Sequence, residues 1–455
     1  MPKPSANRLV PKERLGLPKE RLGLKELVAM GVGGMVGGGI FSVLGLAVAQ
    51  AGHAAPIAFA LGGIIALLTG WSYARLGLAF RSDGGSFTYL EQAFKNQNVA
   101  GLGGWLLLVG YIGTLALYAY TFGVYGSAML GADGAGFAIN HVLESGILLV
   151  FLGVNLYGVK AAGSTEDMIV LVKVIILSLF AIAGLFYLKP DHLLPVFNRG
   201  ELGLFMGAAL IFVAYEGFEL IPNAVNEMDA PERNLSRGIL ISIILTTIIY
   251  ILVSLVAVGN LTAQEIAREK EYALAVAARP FLGHAGFLLI GLGALLSTAS
   301  AINATLFGTA RLGKVMAEEE ALPRVFSMRE RMRDIPWASL CIITAVTLVF
   351  VNSGNLTIIS SFASSTFLLI FASINLSALR LRRTIAIGAA GPLAALLACL
   401  ASWLTLCGYL WMNDRASLMW MGVFYLATAI MEFLFSQRRR LLKCDKMSHA
   451  APPEK

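Results

Sequence analysis

The sequence carries little charge, since only 14% of its 455 residues are Asp, Glu, Lys or Arg. Soluble globular proteins carry about 25%, whereas here 57% of the residues are hydrophobic and the mean hydropathy is +0.73. This composition excludes a soluble enzyme, a disordered protein and a DNA-binding domain with an anchor. It is typical of an integral membrane protein with little mass outside the bilayer.

Motifs of enzyme chemistry are also missing. The four cysteines, Cys341, Cys399, Cys407 and Cys444, do not form a disulfide framework. The five histidines are too dispersed for a metal site, and no phosphate-binding loop, nucleophile elbow or H-E-x-x-H motif occurs. No cleavage site follows the first apolar run, so we expect no signal peptide. We likewise expect no catalytic residues, no cofactor and no metal.

Long apolar runs make up most of the chain, and each can cross a hydrocarbon core of about 30 Å. Because backbone groups must pair internally in lipid and the runs are too long for barrel strands, the runs are predicted to be helices. The sequence therefore predicts an all-α membrane protein with twelve transmembrane helices. Their approximate ranges are 26–50, 54–80, 98–130, 141–159, 165–188, 201–221, 235–260, 285–314, 336–352, 356–380, 386–411 and 417–436.

Lysine and arginine are distributed unevenly between the predicted loops. If the N-terminus is cytoplasmic, the cytoplasmic segments hold 28 of these residues and the outer loops hold 6, while Lys173 lies within a helix. Cytoplasmic loops carry such an excess, so we expect both termini in the cytoplasm of a prokaryotic plasma membrane. The net charge of +7 then requires no nucleic-acid partner.

Two features near the ends of the sequence contribute little to the functional prediction. The heptad PKERLGL occurs at 11–17 and again at 18–24. We interpret it as a neutral duplication, with an amphipathic extension of helix 1 as the alternative. The basic cluster at 438–440 is expected to attract anionic lipid.

Two predicted helices contain residues that oppose helix formation. Segment 31–39 has six glycines in nine residues, and glycine favours local unwinding. The alternative is close helix packing through small residues. In helix 6, Glu216 and Glu219 flank Gly217 at membrane depth. Acids at this depth are usually functional, and the alternative is structural pairing with a neighbouring helix.

The two breaks occupy corresponding positions if the chain consists of two five-helix halves and two further helices. Paired interrupted helices indicate the central site of a transporter. The amides after the first break and the positive end of that half-helix suit a carboxylate. The carbonyls before each break suit an ammonium group. The predicted ligand is therefore a zwitterion, and an α-amino acid fits.

Four motifs resemble those of the amino acid–polyamine–organocation (APC) permease family. GMVGGGIF at 34–41 is similar to G-x-[IV]-G-[SA]-G-I-F, and AYEGFE at 214–219 to the helix 6 motif. NEMDAPERNL at 226–235 and the loop GGSFTY at 84–89 resemble two further family motifs. The resemblance covers residues 24 to about 436. It implies a five-plus-five inverted repeat with broken helices 1 and 6, alternating access, and amino acid uptake or exchange.

The resemblance also implies a substrate site. By position, the substrate carboxylate would contact the amides of Gly37, Gly38 and Gly39. The ammonium would contact carbonyls near Met35, Val213 and Glu216, with Ala214 among them. The chain departs from the family pattern at Gly38, Arg75, Glu216 and Asn226. Glu216 leaves two interpretations open, pairing with a cationic substrate or protonation that favours a neutral one.

Lys173 carries the hypothesis about energy coupling. It lies in the otherwise uncharged run 168–188, and the alternative is that it snorkels to the inner interface. Sodium-coupled relatives hold a cation between helices 1 and 8, close to helix 5, so the resemblance implies that this ammonium replaces sodium. Ser297, Thr298 and Ser300 are the predicted oxygen partners. Glu219 is predicted to act in gating or proton coupling.

These observations predict a proton-coupled, sodium-independent amino acid transporter, with protons and the lipid bilayer as its further partners. The alternatives are an exchanger without net proton movement and a non-transporting amino acid sensor. A channel is less compatible with a site that two broken helices close. The predicted organisation is a cytoplasmic segment (1–25), a first repeat (26–188), a second repeat (201–380), two further helices (386–436) and a cytoplasmic tail (437–455).

Overall fold

The computed structural model describes residues 21–82, 84–94, 97–131, 136–158, 163–269, 271–330 and 335–448. Within these ranges the structure is helical, and the only β-pairing consists of isolated bridges. This confirms the predicted all-α class. The α-helices are α1 (Leu24–Met35), α2 (Gly39–Ala51), α3 (Ala55–Ala79), α4 (Gly85–Ala93), α5 (Gln97–Met129), α6 (Gly136–Tyr157), α7 (Gly163–Leu185), α8 (Gly200–Leu210), α9 (Pro231–Asn260), α10 (Ala263–Arg268), α11 (Ala273–Glu318), α12 (Trp337–Ser353), α13 (Leu356–Arg380), α14 (Ala390–Asn413) and α15 (Arg415–Ser448).

Ten helical stretches of the described chain are long and apolar enough to cross a membrane. The first, Gly39–Ala79, contains both α2 and α3, which the 3-10 turn Gly52–Ala54 separates. Helix α12 is a shorter apolar helix of 17 residues. The first stretch belongs to two successive spans, and α12 adds one more. The described chain therefore has twelve spans, as predicted. Helices α1 and α2 form the first span, and α8 begins the sixth.

The outermost helices present apolar side chains on the surface of the bundle. Leu397 and Leu404 on α14 are 58% and 62% exposed, and Leu426 and Phe433 on α15 are 61% and 63% exposed. A monomeric soluble protein rarely exposes apolar patches of such extent. This surface suits lipid acyl chains, as expected for a multi-pass membrane protein.

The helix pairs of the first five spans recur in the next five, with the roles of the two halves interchanged. Helix α5, the third span, packs against α13, the tenth, and α11, the eighth, packs against α7, the fifth. Helix α3 packs against α9, and α5 against α11. An inverted repeat predicts this pattern, because spans 1 to 5 then correspond to spans 6 to 10. The repeat boundaries at 26–188 and 201–380 stay a prediction.

Two local expectations are corrected. The motif at 84–89, expected as a loop, opens the short helix α4, since its residues from Gly85 onward are helical. Helix α11 begins at Ala273 rather than near 285, and it is kinked at Gly283, where φ is +62°. The first repeated heptad and the side chains of the basic cluster at 438–440 lie outside the described residues.

Candidate functional site

The first span is interrupted where the glycine run predicts it. Helix α1 ends at Met35, α2 begins at Gly39, and the residues between them are not helical. No hydrogen bond from the amides of Gly37 or Gly38 is found within the described chain. Gly39 is the first residue of α2, whose first amides have no acceptor in their own helix. The break thus presents backbone donors at the positive end of α2, where an anion would be stabilised. Binding of a carboxylate there stays a prediction.

The sixth span is interrupted between two 3-10 segments, Ile211–Tyr215 and Phe218–Glu227. Glu216 between them is extended, and Gly217 has a φ of +126°, a conformation that favours glycine. The amide of Glu216 donates to the Val213 carbonyl at 3.1 Å. The Glu216 carbonyl receives no hydrogen bond from the described residues. It is therefore an open acceptor at the second break.

The two breaks contact each other through their backbones. A Cβ atom added at Gly217 would lie 2.5 Å from the Gly34 carbonyl carbon, and one added at Gly39 would lie 2.7 Å from the Ala214 Cα. Any side chain at these glycines would push the two spans apart. This accounts physically for glycine at both positions, and it places the free amides of the first break beside the second break.

Side chains from three other helices bind the carbonyls that the first break releases. In a continuous helix the carbonyl of each residue accepts from the amide four residues later. Instead, Lys173 Nζ on α7 donates to the Gly33 carbonyl at 2.7 Å. Tyr250 Oη on α9 lies 2.6 Å from the Met35 carbonyl oxygen. Ser297 Oγ on α11 lies 2.7 Å from the Val36 carbonyl oxygen and 2.6 Å from that of Gly37.

Tyr250 was not predicted from the sequence. Its hydroxyl also lies 3.0 Å from the Ala214 carbonyl oxygen, so one buried side chain joins the carbonyls of both breaks. A carbonyl has two lone pairs. A substrate ammonium at Met35 would therefore share that carbonyl with the Tyr250 hydroxyl, whereas the Glu216 carbonyl is open to it.

Lys173 is buried, with 1% of its surface exposed. Its ammonium contacts α1 rather than the membrane interface, which the snorkelling alternative would require. The predicted partners do not contact it: Ser297 binds the first break, and Thr298 donates to the Ala294 carbonyl of its own helix. Ser300, the third predicted partner, is half-buried on the same helix. Lys173 and Ser297 are nevertheless brought to the same short segment of the first span.

The two acids of the sixth span are buried, and neither forms an ion pair among the described residues. Glu219 Oε2 accepts the amide of Gly217 at 2.7 Å, and its Oε1 lies 3.4 Å from Tyr111 Oη. Glu216 Oε2 accepts the hydroxyl of Thr114. Glu219 thus stabilises the second break directly. Among the described residues Glu216 has only a neutral partner, so a negative charge on it would have no compensation.

A stripe of hydroxyl-bearing side chains on α5 faces both breaks, and it was not predicted from the sequence. Tyr118 packs its ring on Gly38, and its hydroxyl would lie 3.1 Å from a Cβ atom added at Gly37. Thr121 pairs with Ser42 of α2 at 2.5 Å. Hydroxyl groups recurring at i, i+3, i+7, i+10 and i+14 in an apolar helix would have indicated this face. The stripe consists of Tyr111, Thr114, Tyr118, Thr121 and Tyr125.

Several polar groups that have no hydrogen-bond partner among the described residues therefore lie together at the breaks. The donors are the amides of Gly37 and Gly38 and the hydroxyl of Tyr118, and the acceptor is the Glu216 carbonyl. Buried polar groups are normally hydrogen-bonded, so donors and an acceptor that stay open in one place are available to a ligand. No group of three metal-binding side chains occurs in the described part of the chain.

Comparison with known proteins identifies related sequences. The profile of a family described as amino acid permease matches residues 22–435. An uncharacterized protein of Methanocaldococcus jannaschii is 37% identical over 355 residues, covering 78% of this chain and 81% of that protein. The inner membrane transport protein YbaT of Escherichia coli is 33% identical, covering 80% and 84% of the two chains. The serine/threonine exchanger SteT of Bacillus subtilis is 29% identical, covering 71% and 74%.

Proposed function

Because the chain belongs to the amino acid permease family, we propose that it accumulates amino acids by proton-coupled, sodium-independent transport with alternating access. Membership of this family makes the chain a membrane amino acid transporter and not an enzyme. The substrate site, the energy source and the orientation in the membrane are the proposed parts.

The proposed substrate site lies between the two breaks and the α5 stripe. The carboxylate is bound by the amides of Gly37, Gly38 and Gly39 together with the Tyr118 hydroxyl. The ammonium is bound by the Glu216 carbonyl and by the carbonyls of the neighbouring break residues Met35, Val213 and Ala214. The supporting observation is that backbone donors and an acceptor without partners in the described part of the chain lie together at this point.

The observation that carries the proposed coupling is the hydrogen bond of 2.7 Å from buried Lys173 to the Gly33 carbonyl. A positive charge there occupies the region in which sodium-coupled relatives hold their cation. A charged donor forms a stronger hydrogen bond than a neutral one. Loss of the proton from Lys173 therefore weakens its hold on α1 and allows α1 to move. Proton release and movement of the first span are linked in this way.

Glu219 is the second proposed coupling group, because it accepts the amide at the break of the sixth span. Its protonation would weaken that bond and alter the break. Ser297 holds the carbonyls at the first break, and Ser300, one turn further along α11, lies beside the same region in this proposal.

The proposed location is the plasma membrane of a prokaryotic cell, with both termini in the cytoplasm. The distribution of Lys and Arg supports this orientation, with 28 on the cytoplasmic side and 6 outside. The relative YbaT is named an inner membrane transport protein, which agrees with this location.

The function is tested with purified protein in proteoliposomes. A thermal-shift screen of the twenty amino acids first selects a ligand, because a ligand that binds only the folded state raises the melting temperature. Uptake of that ligand into empty, sodium-free vesicles is then measured with an imposed pH gradient. Accumulation supports proton symport. Binding without any uptake would contradict transport and favour a sensor.

Exchange is the second candidate function, because a relative covering 71% of this chain is a serine/threonine exchanger. The same vesicles distinguish the two functions. Uptake that requires amino acid inside the vesicles and does not depend on the pH gradient would establish exchange.

A further inference from the structure

A groove lies on the outside of the helix bundle, between α1, α7 and α9. Its volume is about 530 Å³. Ligand pockets in proteins have volumes of about 300–1,000 Å³, so the groove is large enough to hold part of a second molecule. Its walls are mostly apolar and include Ala29 and Val32 of α1, Val170 and Val174 of α7, and Ile241 of α9.

The groove is open to the surface that faces lipid. Three of its lining residues are strongly exposed, namely Leu171 (60%), Ile241 (42%) and Leu245 (39%). Each lies on a predicted membrane span, where the surrounding medium is hydrocarbon. An acyl chain therefore suits the walls of the groove.

The groove ends beside the first break. A Cβ atom added at Gly33 would lie 2.7 Å from Val170 Cγ2, so α1 and α7 are in close contact there. The Gly33 carbonyl also accepts the ammonium of Lys173. The lining of α1 ends at Val32, one residue earlier. A molecule in the groove would therefore pack on the half-helix α1 just before the break.

Charged side chains surround the end of the groove where the three helices begin. Lys25 and Glu26 line the groove itself. Arg237 precedes Ile241 by four residues and Glu166 precedes Val170 by four, and residues four apart lie on the same face of a helix. All four charged side chains are exposed. We call this set the rim, and it consists of Lys25, Glu26, Glu166 and Arg237.

The rim carries charges of both signs. Lys25, Glu26 and Arg237 form no ion pair with one another or with any other described residue. Lysine and arginine bind phosphate, and carboxylates bind ammonium groups. A headgroup that contains both a phosphate and an ammonium matches this rim. A purely anionic headgroup would face two carboxylates.

We propose that the groove binds one aminophospholipid of the phosphatidylethanolamine type from the cytoplasmic leaflet. One acyl chain lies along the apolar walls, the phosphate contacts Lys25 and Arg237, and the ammonium contacts Glu26 and Glu166. The lipid thereby supports α1 next to the carbonyl that Lys173 binds. The inference uses the proposed orientation only to name the leaflet, and it requires no amino acid uptake.

The test locates a photoreactive lipid on the full-length protein in phosphatidylcholine nanodiscs without substrate. Three probes carry the same diazirine-bearing acyl chain and differ only in the headgroup, which is phosphatidylethanolamine, phosphatidylglycerol or phosphatidylcholine. After illumination, mass spectrometry of peptides gives the labelling of α1 and α7. It is divided by the labelling of α15, whose Leu426 and Phe433 are exposed on the surface of the bundle. This ratio measures occupancy of the groove independently of general lipid contact.

We expect the ratio to be highest for the phosphatidylethanolamine probe. Exposed ion pairs are weak, so each headgroup contact should change the occupancy by up to about fivefold. Glu26→Gln should remove the preference for phosphatidylethanolamine over phosphatidylglycerol. The double variant Lys25→Ala/Arg237→Ala should instead lower the ratio for both probes.

Two further variants complete the test. Arg382→Ala is the matched charge control, because Arg382 is exposed on the connector after α13 and does not line the groove. It should keep the wild-type ratios. Ala29→Phe fills the groove and should lower the ratio for every headgroup. The rim variants change exposed side chains only, so they remain informative if Ala29→Phe does not fold.

Three results would overturn the proposal. Equal ratios for the three probes in the wild type would mean that the groove holds bulk lipid without recognising it. A higher ratio for phosphatidylglycerol than for phosphatidylethanolamine would identify an anionic lipid as the occupant. The third is an unchanged headgroup preference in Glu26→Gln together with unchanged ratios in Lys25→Ala/Arg237→Ala. None of these outcomes bears on amino acid uptake, so failure here is distinguishable from failure of the proposed function.

Discussion

Lys173 Nζ donates to the Gly33 carbonyl at 2.7 Å, and this carbonyl would bind the amide of Gly37 if α1 continued as a helix. A buried side chain thus replaces a hydrogen bond that the first break removes. Tyr250 and Ser297 do the same for the carbonyls that follow. The unwound segment is consequently held by three different helices, and a change in any of them can alter the break.

Gly39→Ala is expected to lower amino acid affinity by more than about tenfold, or roughly 1.4 kcal/mol. The new Cβ atom would lie 2.7 Å from the Ala214 Cα, so the backbones of the two breaks must separate. Isothermal titration calorimetry measures the affinity. Gly308→Ala is the control, because no atom lies within 4 Å of its added Cβ. Equal affinities of the two variants would place the substrate elsewhere.

Glu216→Ile is expected to change which amino acids compete for uptake. The carboxylate has only the neutral partner Thr114, so its loss should weaken competition by basic and polar amino acids and favour aliphatic ones. Glu216→Gln retains the size of the side chain and separates the effect of charge from that of shape. A competition profile identical to the wild type in both variants would assign Glu216 a structural role.

Glu219→Gln is expected to reduce the rate of transport much more than the affinity. The glutamine oxygen can still accept the Gly217 amide, so the break persists, but the ionisable group is lost. Binding and uptake are measured on the same preparation. We expect uptake to fall at least about tenfold, or roughly 1.4 kcal/mol in the barrier, with little change in affinity. Equal losses in both would make Glu219 a binding residue.

Tyr250→Phe is expected to destabilise the protein and to weaken binding. The hydroxyl lies near the carbonyls of Met35 and Ala214, and loss of a buried hydrogen-bond partner costs about 1–3 kcal/mol. Tyr425→Phe is the control, since its hydroxyl contacts the hydroxyls of Ser365 and Thr366 rather than a carbonyl of either break. Thermal unfolding should show a loss for both variants, while the affinity should fall only for Tyr250→Phe. Unchanged affinity in Tyr250→Phe would refute its positioning role.

The sequence predicts the breaks well because their causes are local. Clustered glycines oppose helix formation wherever they occur, and the acids around Gly217 are conspicuous in an apolar span. The partners of the breaks depend on tertiary packing instead. Tyr250 is more than 200 residues from Met35 and lies in an ordinary apolar run, so no local signal marks it. The stripe on α5 was detectable from its helical spacing, but its target was not.

Lys173 illustrates the same limit. Its isolation in an uncharged run predicts a functional role, and its position in the span places it near helix 1. The sequence pointed to serine and threonine oxygens as partners, whereas the structure gives a backbone carbonyl. A backbone carbonyl that loses its helical hydrogen bond can be identified as a partner only when the end of that helix is known.

The central claim is that a protonated Lys173 takes the place of a coupling sodium ion. Its most direct test is uptake into sodium-free proteoliposomes under an imposed pH gradient, for the wild type, for Lys173→Ala and for the exposed control Lys25→Ala. The account predicts that the wild type and Lys25→Ala accumulate substrate, whereas Lys173→Ala binds it without accumulation. A requirement for sodium in the wild type, or normal accumulation by Lys173→Ala, would contradict the account.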